Sequence, residues 1–421
     1  MRAEDNERLA RVGPGSPAGE MLRRYWHPVL LASELPASDS APLRVRILGE
    51  DLIAFRDSAG EVGLVDAYCP HRRAPLFFGR IEDCGIRCVY HGWKFDRQGN
   101  CLDMPSEPEG SPLMSKVKLK AYPTFEAGDL VWAYLGPKGT APSPADYEWL
   151  RAPVTHRFVS KTYQSSNYLQ GLEGGLDTSH VGFLHSDDRN PVTRLASVDR
   201  SPKLNVETTP YGFYYTSTRR MPPDKNYTRI YQYILPAQQM RPSVIAGYGQ
   251  KQDMPTIDGH IWVPIDDVSC HVYNFIYSFD RAIPLSDNFI MEEEAFFGRA
   301  PEDYIPGSFR LKRNSSNNYL VDRTLQKQGN FSGIQGINTQ DMALQEGMGA
   351  IVDRSKEFLG SSDKAIVTMR RLLLEAIHVV ESGDMPRGSH PHEHSKVRAY
   401  EDIVESSVPI DHLLVETIAK W

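Results

Sequence analysis

Two short segments of the chain combine side chains that bind transition metals. Cys69 and His71 are separated by one residue, and Cys88 and His91, further along, by two. Two thiolates and two imidazoles suit a tetrahedral zinc ion, or a [2Fe–2S] centre in which the Cys pair holds one iron and the His pair the other. Zinc fingers usually pair Cys with Cys and His with His along the sequence. One Cys and one His in each segment therefore favours the iron–sulfur centre, with zinc as the alternative.

The residues around these ligands resemble a known family of domains. The segments CPHR at 69–72 and YHGWKF at 90–95 are similar to the two cluster-binding loops of Rieske proteins. The sequence departs from the family at one position: it has Arg73 where Rieske proteins often have glycine. The resemblance implies that these two Cys and two His hold a Rieske [2Fe–2S] cluster, which transfers electrons one at a time.

A second group of metal-binding residues follows in DTSHVGFLH, residues 177–185. His180 and His185 are five residues apart and do not share one face of a regular helix, so a bend or a loosened turn is needed for both to reach one metal. The motif D-x-x-H-x₄-H resembles the one found in the catalytic domain of Rieske non-haem iron oxygenases. The resemblance implies that two His and one carboxylate hold Fe(II) and leave positions open for dioxygen.

The third iron ligand must come from a distant part of the chain. Asp341 lies in a segment whose setting is similar to that of the distal aspartate of the family, and it is expected to open a helix. Glu346 and Asp353 are the alternatives, and each is otherwise expected on a solvated helix face. The resemblance favours Asp341 as the carboxylate ligand.

Asp177 has a different role in the family that the chain resembles. The equivalent acid bridges a cluster His of one subunit and an iron-binding His of the next, which here implies His91 of a neighbouring subunit and His180 of the same chain. A carboxylate between two imidazoles fixes their tautomers and offers a route for the electron. This implies a head-to-tail ring, expected as a homotrimer or a stacked hexamer. The alternative is a structural helix cap at Asp177.

The run GLEGGLD at 171–177 and QDMA at 340–343 are most similar to the phthalate dioxygenase-like branch. That branch implies insertion of oxygen from O2 into an aromatic carboxylic acid by ring dihydroxylation. Aryl-ether O-demethylation in the same family is one alternative, and a Rieske electron-transfer protein without oxygenase activity is another. The sequence has no dinucleotide-binding fingerprint, so electrons are expected from a separate NAD(P)H-dependent reductase, with or without a ferredoxin.

An aromatic carboxylate needs a cation in its binding pocket. Arg241, near a strand-like segment, and Arg194 are the candidates. A guanidinium can bind a carboxylate through two parallel hydrogen bonds. The alternative for each is a surface or structural ion pair.

The surrounding pattern predicts the elements that position these residues. Apolar and polar residues alternate at 43–48 and 51–56 across a two-residue break containing Gly49, which predicts a β-hairpin. Apolar residues at helical spacing over 363–381 predict a long helix. Together with the resemblance, this predicts an α+β protein in two domains. Residues 1–150 would form an N-terminal helix and a small all-β Rieske domain, and 151–421 a larger catalytic domain with an antiparallel sheet flanked by helices, similar to a helix-grip fold.

Composition narrows the remaining classes of function. The 421 residues carry a net charge of −7 without a basic run, which argues against nucleic acid binding. Five Cys in this length argue against a disulfide framework, and no apolar run resembles a secretory signal or a membrane span, so a cytoplasmic location is expected. The HPHEH segment at 390–394 is expected to be a solvated loop without a metal.

Overall fold

The computed structural model describes residues 1–187, 194–245 and 249–421. Its N-terminal part contains three small antiparallel sheets, ordered β1-β11-β10, β2-β3-β4-β9 and β5-β6-β7-β8. The strands are β1 (Trp26–Leu31), β2 (Leu43–Ile47), β3 (Glu50–Arg56), β4 (Val62–Asp66), β5 (Arg80–Glu82), β6 (Gly85–Arg87), β7 (Lys94–Phe95), β8 (Cys101–Asp103), β9 (Ala121–Tyr122), β10 (Thr124–Ala127) and β11 (Leu130–Tyr134). The predicted hairpin is confirmed as β2–β3, because Leu43 pairs with Ala54 and Ile47 with Glu50.

The C-terminal part is built on an eight-stranded antiparallel sheet. Its strands are β12 (Arg157–Gln164), β13 (Lys203–Thr209), β14 (Gly212–Met221), β15 (Lys225–Ile234), β16 (Gln238–Ile245), β17 (Lys251–Asp266), β18 (Ser269–Ser278) and β19 (Tyr400–Glu405). They follow the order β12-β18-β17-β16-β15-β14-β13, and β19 also pairs with β15. The all-β unit and the larger antiparallel sheet confirm the predicted α+β class.

Helices flank both parts. They are α1 (Ala3–Ala10), α2 (Pro17–Leu22), α3 (Leu113–Lys116), α4 (Glu148–Arg151), α5 (Tyr168–Leu176), α6 (Arg194–Val198), α7 (Asp287–Phe297), α8 (Arg323–Lys327), α9 (Ile337–Gly347), α10 (Lys364–Glu381) and α11 (Asp411–Leu414). Within the described residues, no helix is long and apolar enough to cross a bilayer.

The helix predicted over 363–381 is confirmed as α10, which begins one residue later. Its buried side chains, including Ile366, Met369 and Leu373, recur three or four residues apart and form one apolar face. The short α1 and α2 pack against α10, and Arg8 of α1 forms an ion pair with Glu381 at 2.7 Å. The N-terminal helices thus lie against the C-terminal part of the chain, while the division at residue 150 stays a prediction.

The HPHEH segment departs from the expected solvated loop only at its last residue. His392 is exposed, whereas His394 is buried and stacks on Tyr147, with ring centroids 4.6 Å apart. The flat ring of Tyr147 gives the imidazole an apolar surface to pack against.

A buried ion pair connects α4 to the start of β19. Glu148 accepts hydrogen bonds from Arg398 Nε, from Tyr277 Oη and from the backbone N–H of Lys420, each at 2.8 Å. Glu148 and Arg398 are both almost completely buried. Each charge therefore depends on the other for compensation.

Replacing Glu148 by glutamine is expected to lower the free energy of unfolding by about 3–5 kcal/mol, because Arg398 would remain buried without a counter-charge. The midpoint of urea unfolding of the cluster-loaded protein measures this loss. Glu416→Gln removes one partner of the exposed Glu416–Lys420 pair and serves as the control. Its effect is expected to stay below about 1 kcal/mol. Equal unfolding midpoints for the two variants would contradict the prediction that the buried pair stabilises the fold more than the exposed pair.

Candidate active site

The first metal site lies on two loops of the N-terminal part. Cys69 follows β4 by three residues, and Cys88 follows β6 directly. Each loop is closed by a backbone hydrogen bond: Cys69 N–H donates to the carbonyl of Ala74 at 2.9 Å, and Cys88 N–H to that of Trp93 at 2.8 Å. These turns hold each Cys beside the His of its own loop. Both Cys side chains are buried.

The two loops meet around a small cavity that all four predicted ligands line. The rings of His71 and His91 are 4.5 Å apart, and His71 stacks on Trp93 at 4.4 Å. Nδ1 of His71 is buried without a hydrogen-bond partner among the described residues. A buried polar atom of this kind requires a partner, and a metal ion provides one. The donor set and this orphaned nitrogen fit a [2Fe–2S] centre with two Cys and two His ligands.

The second site joins a turn after α5 to the helix α9. His180 begins a 3₁₀ turn, His180–Gly182, which provides the loosened turn that the five-residue spacing requires. Nε2 of His180 and Nε2 of His185 are 3.1 Å apart, and they lie 3.4 and 3.3 Å from Oδ1 of Asp341. Three ligands about 2.1 Å from one metal and at right angles would be about 3.0 Å apart. The three atoms therefore fit one face of an octahedral metal site.

The remaining ring nitrogens of the two His are fixed by neighbours. Nδ1 of His180 lies 3.4 Å from Oδ2 of Asp177, and Nδ1–H of His185 donates to Oε1 of Gln340 at 2.7 Å. The amide of Gln340 is itself oriented by a 2.8 Å hydrogen bond to the carbonyl of Ile334. When Nδ1 of each ring carries the proton, its Nε2 atom has a lone pair for a metal.

Asp341 does not open its helix as the sequence predicted. It lies in the second turn of α9, which begins at Ile337 after Gly336 with φ +85°. The boundary has no capping side chain, so no local signal marks it. Burial opposes ionisation of Asp341, but the adjacent His185 and His180 hold its pKa well below the usual range.

The alternative carboxylates lie outside the triad. Glu346 of α9 accepts a hydrogen bond from the backbone of Ser165 and another from Tyr319. Asp353 is exposed and caps a 3₁₀ turn by accepting from the N–H of Ser355. Among the described residues, His180, His185 and Asp341 are the one group of three potential ligands whose atoms all lie within 4.8 Å of one another.

The glycines of α5 explain how His180 and Asp341 come together. A Cβ at Gly171 or Gly175 would lie 2.4 or 2.2 Å from the ring of Trp262 on β17. A Cβ at Gly174 would lie 2.1 Å from the side chain of Gln345 on α9. Glycine at these positions lets α5 approach both β17 and α9 closely. The turn carrying His180 is thereby placed beside the helix that carries Asp341.

Comparison with known proteins agrees with both metal sites. Residues 25–123 match the Rieske [2Fe-2S] domain, and residues 133–420 match the family described as LigXa C-terminal domain like. The phthalate 4,5-dioxygenase oxygenase subunit of Pseudomonas putida is 38% identical over 92% of this chain and 89% of its own. The chain belongs to the Rieske non-haem iron oxygenases. Members of this family carry a Rieske [2Fe–2S] cluster and a mononuclear iron.

Two further relatives of this Rieske oxygenase act on aromatic compounds, according to their names. The 3-chlorobenzoate-3,4-dioxygenase oxygenase subunit of Comamonas testosteroni is 37% identical, covering 91% of each chain. The 5,5'-dehydrodivanillate O-demethylase oxygenase subunit of Sphingobium sp. (strain NBRC 103272 / SYK-6) is 34% identical over 92% of this chain and 83% of its own. Dicamba monooxygenase bound to dicamba has the same fold, with a TM-score of 0.61 at 19% identity over 86% of this chain and 99% of that one.

The Rieske oxygenase has a cavity of about 180 Å³ beside its His–Asp triad. The described side chains around it include Tyr227, Arg229, Gln239, Arg241, Asp258, His260, Trp262, Phe297, Asn338 and Gln345. An engineered cavity of roughly 150 Å³ accepts benzene, so this volume suits one aromatic ring. Apart from Asp177 and the triad, sequence reasoning identified only Arg241 of this lining, because the rest come from strands and helices far apart in sequence.

The two candidate arginines differ in position. Arg241 on β16 lines the cavity and forms an ion pair with Asp258 on β17, as the ion-pair alternative anticipated. Arg194 is exposed at the first residue of α6 and is not part of the cavity wall. A second cation in the wall is Arg229, which pairs with the buried Glu401 at 2.8 Å.

Proposed function

We propose that this Rieske oxygenase inserts oxygen from O2 into an aromatic carboxylic acid by ring dihydroxylation. The relatives named for phthalate and 3-chlorobenzoate support this substrate class. The relative named as an O-demethylase supports the alternative, aryl-ether O-demethylation. Electrons would come from a separate NAD(P)H-dependent reductase, with or without a ferredoxin.

One observation carries the substrate class: Arg241 and the His–Asp triad line the same ring-sized cavity. Burial raises the pKa of its partner Asp258 despite the nearby Arg241 guanidinium. Asp258 therefore gives up its negative charge more easily than an exposed carboxyl group would. In this proposal a substrate carboxylate replaces Asp258 as the partner of Arg241, and Arg229 stays paired with the buried Glu401.

The metal-binding roles are assigned from the family and from the arrangement of the candidate ligands. Cys69, His71, Cys88 and His91 would hold the cluster, and the triad of His180, His185 and Asp341 the mononuclear iron. When bound, the cluster supplies single electrons and the mononuclear iron supplies the place where dioxygen is activated. The protein excludes water from the cavity and holds the ring carbon beside the triad.

Asp177 would connect the two metal sites between neighbouring chains. Its carboxylate is in reach of His180 in the same chain. By its likeness to the family, a partner at His91 of the next subunit implies a head-to-tail ring, which we propose to be a homotrimer or a stacked hexamer in the cytoplasm. Cross-linking mass spectrometry between the two loops tests this arrangement.

A panel of aromatic acids and aryl methyl ethers, incubated with a surrogate reductase, tests the reaction. A dihydroxylated product from an acid without methoxy groups is expected, and formaldehyde release would instead identify O-demethylation. Arg241→Gln is expected to raise KM for the acids about 10- to 100-fold, because one charged hydrogen bond is lost. Arg323→Gln, on the exposed face of α8 away from the cavity wall, is the matched control. An unchanged KM in Arg241→Gln would contradict carboxylate binding at this residue.

A further inference from the structure

His260 on β17 lines the cavity, and a hydrogen bond to Asn274 fixes its tautomer. Nδ1 of His260 lies 2.8 Å from Oδ1 of Asn274. Nδ2 of Asn274 donates to the hydroxyls of Ser160 and Thr162 at 3.2 and 3.4 Å. Because the NH2 group faces these hydroxyls, the amide oxygen faces the imidazole, and Nδ1 carries the proton. Nε2 of His260 is left with a lone pair.

This Nε2 is an acceptor without a protein partner. Among the described residues, no hydrogen bond reaches it, although His260 is only 5% exposed. Burial lowers the pKa of His260 well below its ordinary value, and the nearby cations Arg241 and Arg299 lower it further. The ring therefore stays neutral at neutral pH and can accept a hydrogen bond from a ligand but not donate one through Nε2.

A second polar atom in the same wall also lacks a donor. Oδ1 of Asn338 is buried without a partner among the described residues. Asn338 precedes Asp341 by three residues on α9, so the two side chains share one face of the helix. The cavity thus presents two acceptor atoms, Nε2 of His260 and Oδ1 of Asn338, that no donor among the described residues reaches.

The register of the sheet places His260 next to the proposed carboxylate anchor. Arg241 pairs with Asp258 and Gln239 with His260 across β16 and β17. Directly paired residues, and residues two apart on a strand, share one face, so Arg241 and His260 are diagonal neighbours on the same face of the sheet. Diagonal neighbours are roughly 7–8 Å apart, which is of the order of a substituted benzene ring.

We propose that the substrate carries a hydroxyl group in addition to its carboxylate, and that His260 accepts the hydrogen bond from this hydroxyl. The proposal rests on the proposed function, since Arg241 is taken as the carboxylate anchor. A second carboxylate at His260 would be unfavourable, because the lone pairs of its oxygens would face the lone pair of Nε2. A fluorine or a methoxy oxygen offers no proton. His260 therefore selects hydroxylated aromatic acids over isosteric acids without a donor.

Isothermal titration calorimetry on the metal-loaded protein without oxygen tests this selection independently of turnover. The ligands are 3- and 4-hydroxybenzoate, their fluoro analogues of similar size, and benzoate. At least one hydroxybenzoate is expected to bind about tenfold or more tightly than its fluoro analogue, because the analogue offers no proton to Nε2 and the hydrogen bond is lost. Equal affinities in the unmodified protein would overturn the proposal without any variant.

Variants locate the selection at His260. His260→Phe is expected to remove the preference for the hydroxybenzoate, and His260→Gln, which offers an acceptor oxygen, to restore part of it. The visible spectrum of the cluster confirms that each variant is folded. A preference retained in His260→Phe would overturn the assignment. Arg241→Gln is expected to weaken the binding of the hydroxybenzoate and of its fluoro analogue by the same factor. If none of the benzoates binds to the unmodified protein, that result counts against the proposed function and not against the role of His260.

Discussion

Asp341→Ala is expected to abolish oxygen insertion, by at least roughly a thousandfold, while the spectrum of the cluster is unchanged. Oδ1 of Asp341 lies within 3.4 Å of Nε2 of both His180 and His185, so the variant loses the only anionic atom of the triad. Two neutral imidazoles bind Fe(II) weakly without it. Iron analysis is expected to fall from about three to about two atoms per chain, since the cluster keeps its own two.

Asp353→Ala is the matched control for this experiment. It removes an exposed aspartate that the sequence left as an alternative ligand, and it is expected to keep all its iron and its activity. Full iron content in Asp341→Ala would contradict the assigned ligand. Loss of the cluster together with the mononuclear iron would contradict two independent metal sites.

Asp177→Asn is expected to lower kcat by roughly 10- to 100-fold with the iron content unchanged. The asparagine keeps the shape of the side chain but loses the negative charge beside Nδ1 of His180, which lies 3.4 Å away. Stopped-flow mixing of the reduced protein with oxygen and substrate measures reoxidation of the cluster. This step is expected to slow by the same factor as kcat if Asp177 connects the two metal sites.

The structural alternative for Asp177 makes a different prediction. Its Oδ1 also accepts a hydrogen bond from the N–H of Ser179 at 2.7 Å, which is the geometry of an aspartate turn. Asparagine keeps this acceptor oxygen, so a purely structural role would leave both the stability of Asp177→Asn and its rate of cluster reoxidation nearly unchanged. The rate of cluster reoxidation in Asp177→Asn therefore distinguishes the two roles.

Local sequence determined the parts of the molecule whose contacts are local. The β2–β3 hairpin and α10 were predicted from periodicity, because each forms its apolar face within one short segment. The four candidate cluster ligands lie on two loops of a few residues each. Spacing alone therefore places each Cys beside its own His. Asp341 was chosen by resemblance, and the start of its helix was missed because Gly336 gives no capping signal.

Tertiary structure alone decided what surrounds the triad. The glycines of α5 are needed because Trp262 and Gln345 pack against them, and these two residues are more than 80 residues away in sequence. The pairing of Arg241 with Asp258 and the unpaired Nε2 of His260 follow from the register of β16 and β17. Burial raises the pKa of Asp258 and lowers that of His260, since removing a charged group from water is costly. The sequence by itself therefore determined which residue types can bind the metals, and long-range packing and desolvation decided the shape and polarity of the cavity beside them.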